Sequence, residues 1–353
     1  LSRRRRGLNN LTLEDIARNC GVSRSTVSRV INNHPNVSEK VRKRVEKEIK
    51  NTGFRPHAAA RALVSQRSWT IGLVLPRSVQ SFFTDPYYPR LIQGIAQGCN
   101  QKKYTLGLYL LTDAEDEEEI FPRISRSGSL DGVLFQSDQM GDQLIGKLAQ
   151  SGIPMVIIGR PFQNEKLSYI DIDNVSAAKS AVDYLVDLGY KRIGTITGPL
   201  NTSVGVDRKI GYIQGLEGRG IRIEEKLIVE GDFTEEKGYE GMIKLLPAKP
   251  DAVFSASDRM AFGAIRALHD KGLRVPEDVA LVGFDDLPVT NPVNPPLTTV
   301  RQPVYEFGIK AVEFLDDLIT TGTTPPRRII MGTEIVTRES CGARLKKIET
   351  QAK

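Results

Sequence analysis

TLEDIARNCGVSRSTVSRVINNHPNVSEKVRKRVEKEIKNTGFRPHAAARAL, residues 12–63, decides how the first part of the chain folds. Thr12 followed three residues later by Asp15 is an N-cap pattern, and Leu13, Ile16 and Ala17 repeat at helical spacing behind it. Gly21 breaks the chain, and Ser23 caps a second helix with Thr26 at its third position. Laid out at about 100° per residue, Thr26, Val27, Val30 and Ile31 fall on one side of that helix. Ser25, Ser28, Arg29 and Asn32 fall on the other, with Arg24 at the leading edge. One side builds a core, and the other is a row of hydrogen-bonding groups sized for base edges. A third helix starts near Ser38, turns Val41, Val45 and Ile49 inward, and shows Arg42, Lys43, Arg44 and Lys47 to solvent. This is a helix-turn-helix with its recognition helix at 24–32. The segment RPHAAARAL, 55–63, is too short to be a stable helix alone. It is expected to fold on DNA and push Leu63 into a base step of the minor groove.

Charge divides the 353 residues unevenly. Residues 1–68 hold 16 Lys and Arg against 5 acidic residues, a net +11, so a chain of net +6 leaves −5 for the remaining 285 residues. A basic head on a mildly acidic body points to phosphate contact by the head alone. Arg3 to Arg6 precede the first helix and read as a flexible arm adding salt-sensitive affinity. The length exceeds one compact core and implies two or three domains. Cys20, Cys99 and Cys341 are odd in number and far apart, which indicates neither a disulfide framework nor a zinc site. No cofactor or metal is expected. Cys20 reads as a small apolar residue filling the turn of the head. With no run of ~18 apolar residues and no signal peptide at the start, a cytoplasmic location and no membrane contact are expected.

From residue 70 onward, short apolar runs alternate with amphipathic stretches. TIGLVLP, YTLGLYLL, DGVLFQS, PMVIIGR, YIDID, RIGTITG, LIVEGDF, DAVFSAS and DVALVGFDD read as buried parallel strands. Helices are expected at 174–189, 206–219, 235–246 and 258–271, the last capped by Asp258 and closed by Gly272. Repeated βα units imply open doubly wound sheets, and the length suits two subdomains joined by a hinge. Ligands collect at the carboxyl ends of strands in such sheets. That rule selects Arg160 after IPMVIIG, Asp258 after DAVFSAS and Asp285 after DVALVGF. Asp258 reads equally well as a plain helix cap. Tyr87 and Tyr88 in TDPYYP, after the first strand, are candidates for another wall of the pocket, with Asp85 as a polar contact.

The motifs TLEDIARNCGVSRSTVSRVIN, VSEKVRKRV, GFRPHAAARAL, IGLVLP, DGVLF, GPL, DR, GYIQGL, FSASDRMAFGAI, GLRVPEDVALVGFDD, LTTVRQP and VTRES together resemble the LacI/GalR family of bacterial transcription regulators. The resemblance covers nearly the whole chain. It implies an N-terminal all-α helix-turn-helix head, 8–55, a hinge helix and linker, 56–69, and an effector-binding α/β body, 70–345. The body would be two doubly wound parallel-sheet subdomains, periplasmic-binding-protein-like, that close around a ligand. Its N-subdomain would span about 70–172 plus 302–331 and its C-subdomain about 173–301 plus 332–345, with TTVRQP, 298–303, crossing between them. By resemblance Arg208 and Asp285 form the effector-gripping pair, Phe233 lies against the ligand, and Arg160 within GRP points to a saccharide. The chain departs from the family at His57, where Asn usually follows the hinge proline, which brings a titrating group to the hinge. No apolar heptads follow VTRES, so a homodimer is expected rather than a tetramer.

The expected function is a sequence-specific transcriptional regulator, read as a repressor, switched by a small ligand. Two recognition helices of a homodimer would enter successive major grooves of a near-palindromic double-stranded operator. Arg29 would read guanine, Arg24 and Ser25 would supply further sequence preference, and Ser23, Thr26 and Asn32 would position the helix on phosphates. Thr12, Ser28, Ala60 and Leu63 complete the expected DNA contacts. The effector is read as a sugar, with a nucleobase or sugar phosphate as the alternative. Two other classes fit less well. An enzyme lacks support, because the chain has no GxxxxGK[ST], no GxGxxG opening a helix, no HExxH, and only His34, His57 and His269. A cytosolic solute-binding protein would not need the basic head.

Overall fold

Short-range signals set the head. The computed structural model of the protein describes residues 11–31, 34–54, 67–75, 84–111, 114–126, 128–136, 143–162, 166–288, 293–322 and 325–343. Helix α1 (Leu13–Cys20) opens with a capping box in which the Thr12 hydroxyl accepts from the Asp15 amide at 3.3 Å while the Asp15 carboxylate accepts from the Thr12 amide at 3.0 Å. It ends at Gly21, whose φ of +60° is the left-handed C-cap that a Cβ disfavours. Helix α2 (Arg24–Ile31) is capped by Ser23, whose Oγ accepts from the Thr26 amide at 3.1 Å. Helix α3 (Glu39–Thr52) follows Ser38. Ile16, Ala17, Cys20, Val27, Val30, Val45 and Phe54 form the small core, with Leu13, Val41 and Ile49 packed on it. Cys20 is the buried filler expected of it. Asn32, His57, Ala60, Leu63 and the arm of Arg3 to Arg6 lie outside the described residues.

The chain divides into two compact units at Ser68/Trp69. The second unit holds two six-stranded sheets. The first runs β11-β5-β4-β3-β1-β2, all parallel, from β1 (Thr70–Leu75), β2 (Thr105–Leu110), β3 (Gly132–Gln136), β4 (Met155–Ile158), β5 (Tyr169–Ile172) and β11 (Arg328–Met331). The second runs β12-β10-β9-β8-β6-β7, from β6 (Ile193–Thr197), β7 (Ile228–Glu230), β8 (Ala252–Ser255), β9 (Ala280–Asp285), β10 (Thr298–Arg301) and β12 (Glu334–Val336), with only β12 antiparallel. Continuous burial along β1, β4, β6, β8 and β9 is what a sheet covered on both faces demands.

Helices cover both sheets. Helix α4 (Tyr87–Lys102), α5 (Ala114–Ser125), α6 (Gln143–Gln150) and α11 (Val304–Thr321) serve the first half. Helix α7 (Asn174–Asp187), α8 (Ser203–Glu217), α9 (Glu235–Leu245) and α10 (Asp258–Asp270) serve the second. Helices α4 and α11 approach so closely that a Cβ on Gly94 would stand 2.0 Å from the Tyr305 carbonyl oxygen. The chain passes between the halves three times, after β5, after β10 and between β11 and β12.

Three sequence expectations change. YTLGLYLL and LIVEGDF form β2 and β7, which are only partly buried because each lies at the edge of its sheet. Residues 298–301 of TTVRQP form β10 within the second sheet, and the passage to the other half is Gln302-Pro303. The cap of α10 is Ser257, whose side chain accepts from the Met260 amide at 3.3 Å, so Asp258 is the first helical residue and not the cap.

Candidate functional site

On the head, α2 buries Val27 and Val30 and leaves Ser23, Arg24, Ser25 and Arg29 exposed, with Thr26 and Ser28 half-buried. Burial by the other two helices selects which side of α2 meets solvent. Ser23 Oγ also lies 2.7 Å from Ser25 Oγ and 2.8 Å from Thr26 Oγ1, which pre-orients the hydroxyls at the helix start. Arg24 pairs with Glu14 at 3.1 Å on an exposed surface, where such a pair is weak and easily exchanged for a phosphate. Arg42 donates to the His34 carbonyl at 2.7 Å, and Arg44 to the Cys20 carbonyl at 3.0 Å. Part of the basic surface therefore braces the module itself.

In the body, the carboxyl ends of both sheets face one cleft with about 710 Å³ of empty space between its walls, open solvent included. Asp85, Tyr87, Tyr88, Arg208, Phe233 and Asp285 line it, six of the eight residues selected from sequence. Its centre is Arg208, only 4 % exposed. Arg208 donates through Nε to Asn174 Oδ1 at 2.9 Å and through Nη1 to the Ala256 carbonyl at 2.6 Å and to Asp285 Oδ1 at 3.3 Å. Its guanidinium lies 3.6 Å from the centre of the Phe284 ring. Gln302 donates to Asp285 Oδ1 at 2.6 Å, so the first residue of one passage between halves touches the central carboxylate. Burial pushes the Asp285 carboxyl up to about 7 against the pull of Arg208, with Asp85 adding to the rise. Its backbone, at φ +121°, and that of Asp286, at +54°, are strained conformations of the kind that gather at binding sites.

Phe233 also has a left-handed backbone, at φ +69°, and its ring rests on Gly198. Tyr87 and Tyr88 meet edge to face with centroids 5.5 Å apart. Asp85 Oδ1 accepts from the Tyr87 amide at 3.0 Å, and Oδ2 lies 3.8 Å from Arg259 on the opposite half.

Arg160 and Asp258 are corrected by the structure. The Arg160 guanidinium is gripped at both ends by Asp207, Nε to Oδ2 at 2.9 Å and Nη2 to Oδ1 at 2.7 Å, and it does not line the cleft. The Asp258 carboxylate turns away behind β9, accepting from Thr299 Oγ1 at 2.5 Å and from the Leu287 amide at 3.3 Å. Burial first, then the neighbouring Asp285, holds it well above the usual carboxylate range. It lines an adjoining groove with Phe262, Leu287 and Pro296 instead.

Sequence reasoning passed over Gln136, Asp171, Asn174, Arg259, Gln302 and Phe307, all at the cleft. The strand-end rule that selected Asp285 applies equally to Gln136 at the end of β3 and to Asp171 in β5. Burial lifts the Asp171 carboxyl to about 7, even though the Ile172 amide donates to it at 2.7 Å. The Gln136 Oε1 atom is buried without a hydrogen-bond partner among the described residues, an acceptor held open at the cleft wall.

Comparison with known proteins places both parts. Residues 12–57 match the family model for bacterial regulatory proteins of the lacI family, and residues 182–341 match a periplasmic binding protein-like domain. The HTH-type transcriptional regulator CelR of Thermobifida fusca is 39 % identical over 344 residues, covering 96 % of this chain and all of that protein. Catabolite control protein A of Priestia megaterium is 33 % identical, covering 94 % of this chain and 99 % of that one. A solved CelR–cellobiose complex, 37 % identical, superposes with a TM-score of 0.74 over 94 % of this chain and 100 % of its own. A lac repressor dimer bound to operator, at 24 % identity and a TM-score of 0.82 over 94 % of this chain and 99 % of that one, shares the fold.

Proposed function

The chain belongs to the lacI family of bacterial transcriptional regulators, and on that premise we propose that its cleft takes a neutral saccharide whose binding sets the grip of the helix-turn-helix head on operator DNA. The observation that carries this reading is the charge balance of the cleft. Among the described residues, both guanidinium groups at its walls already face acidic side chains, Arg208 with Asp285 and Arg259 with Asp85, while Asp171 adds a third acidic group. Among the described residues, a phosphorylated or carboxylated ligand would find no cation without an acidic partner. A polyol finds what it needs: carboxylate and amide acceptors for hydroxyls, and Tyr87, Tyr88, Phe233 and Phe307 to cover the apolar faces of pyranose rings. The complex of the similar CelR with cellobiose supports the same ligand class.

The cleft draws on both halves of the body, so a ligand that touches both favours the closed arrangement. Switching then requires different affinities for the two arrangements. The protein acts as a cytoplasmic homodimer that offers two α2 faces to a near-palindromic operator. Arg29 and Arg24 are the groups that reach base edges and phosphates.

A thermal-shift titration with cellobiose, other neutral sugars, sugar phosphates and nucleobases tests the ligand class. A neutral sugar at 100 times its dissociation constant should add ~2.7 kcal/mol to the stability of the body. A shift with a nucleobase or a sugar phosphate alone would overturn the saccharide reading while leaving the regulator intact.

A further inference from the structure

Arg160 and Asp207 join the two halves of the body without touching the cleft. Arg160 follows β4 in the first half, and Asp207 sits on α8 in the second, next to Arg208. The two parallel bonds between them are the fork geometry that makes arginine–carboxylate pairs directional. Two further contacts fix the arginine: Ser203 Oγ donates to its carbonyl at 2.8 Å, and its guanidinium stands 5.7 Å from the centre of the Phe162 ring. The pair is half out of water, with side chains 37 % and 11 % exposed, so it is neither a freely solvated surface contact nor a sealed interior one.

We infer that the Arg160–Asp207 pair is a clasp that sets how far the body closes, and through α8 it positions Arg208 for the effector. Four carboxylates, Asp85, Asp171, Asp207 and Asp285, converge where the halves meet, against the three guanidinium groups of Arg160, Arg208 and Arg259. Opening the halves would return Asp207 and Arg160 to water separately. Closing them requires each to compensate the other. Removing Arg160 leaves a mostly buried carboxylate near Asp171, a repulsion relieved by opening or by taking up a proton. Arg160 is therefore a positioning residue. The equilibrium between open and closed bodies that any effector must shift is biased toward closure before the effector arrives.

The test needs no effector. The described cysteines, Cys20, Cys99 and Cys341, are all buried, so spin labels on Gln150→Cys in α6 and Glu236→Cys in α9 report the separation of the halves. The labelled full-length chain is diluted into unlabelled protein so that only distances within one subunit are read. Arg160→Gln and Asp207→Asn should each raise the open-to-closed ratio roughly three- to tenfold. The double variant should open no further than either single one, and Arg160→Asp with Asp207→Arg should restore closure. Raising NaCl from about 0.15 M to about 1 M should open the parent protein more than the double variant, which still carries the Asp85–Arg259 pair across the halves. A parent-like distance distribution in the single variants, additive opening in the double variant, or no response of the parent to salt would each overturn the clasp. If Asp207→Asn fails to fold, Arg160→Gln and the salt series decide it: a body that ignores both is not held by this pair.

Discussion

Arg208→Met removes the donor at the centre of the cleft while keeping most of the side-chain volume, and its cost should depend on pH in a defined direction. Asn174 Oδ1 and the Ala256 carbonyl lose bonds of 2.9 and 2.6 Å. Two buried acceptors left dry cost roughly 2–4 kcal/mol together at any pH. The lost bond to Asp285 behaves differently. Burial already holds that carboxyl at about 7 in the folded protein, against an ordinary 3.8. Arg208 pulls it down, so the variant holds it higher. Below about pH 7 Asp285 carries its proton in both folded proteins, and the charge contributes no difference between them. Above that, the parent releases the proton and the variant keeps it. The unfolded chain has released it in both, so the folded variant binds one proton more than its unfolded state and loses up to ~1.4 kcal/mol per pH unit. At about pH 8.5 this adds ~2 kcal/mol, for a total of roughly 4–6 kcal/mol. Calorimetry of the body should show a drop in Tm of roughly 4–16 °C at about pH 6 and roughly 8–24 °C at about pH 8.5. Arg208→Met combined with Asp285→Asn should lose the pH-dependent part, since Asn carries no proton to exchange. A drop below ~2 °C at both pH values, or a larger drop on the acid side, would refute the buried pairing of Arg208 with Asp285.

Two further substitutions probe the cleft and the head separately. Gly198→Ala would put a Cβ 2.3 Å from Phe233 Cζ and 2.6 Å from Cε1. The ring should swing off its seat and weaken binding of the saccharide roughly tenfold, equal to about 1.4 kcal/mol. Calorimetric titration with that sugar checks it, and an unchanged Kd would remove Phe233 from the ligand wall. Arg29→Ala, on the exposed face of α2, should weaken cognate-operator binding by ~1–3 kcal/mol while leaving affinity for random DNA nearly intact. Gel shifts on both DNAs decide it, and equal losses would reassign Arg29 from base reading to phosphate contact.

The head was readable because every decision in it is local. The capping box joins Thr12 to Asp15, Ser23 caps its own helix three residues on, and Gly21 supplies the left-handed turn within the same twenty residues. The strands of the body were readable for a related reason: a parallel strand covered on both faces must be apolar throughout, so TIGLVL or MVII announces itself. The strands that escaped lack that signature. In β10 the buried Thr298 and Thr299 stand side by side and leave one apolar residue in the strand, whereas β6 sets its threonines beside isoleucines. Strands β11 and β12 are short edge strands with exposed positions.

By itself, the sequence determined the helix-turn-helix, the side of α2 that faces solvent, the βα alternation of the body, and six residues of the cleft. Each follows from spacing, capping or strand-end chemistry that acts within a few residues, or from family motifs carried whole. Only the tertiary structure decided the roles of Arg160 and Asp258. Asp207 lies 47 residues from Arg160, and Thr299 lies 41 residues from Asp258. Which carboxylate faces a ligand, which caps a helix and which ties two halves together depends on what the closed chain brings opposite it. A buried charge takes the best partner within reach, and that reach is measured in space, where a local pattern carries no information.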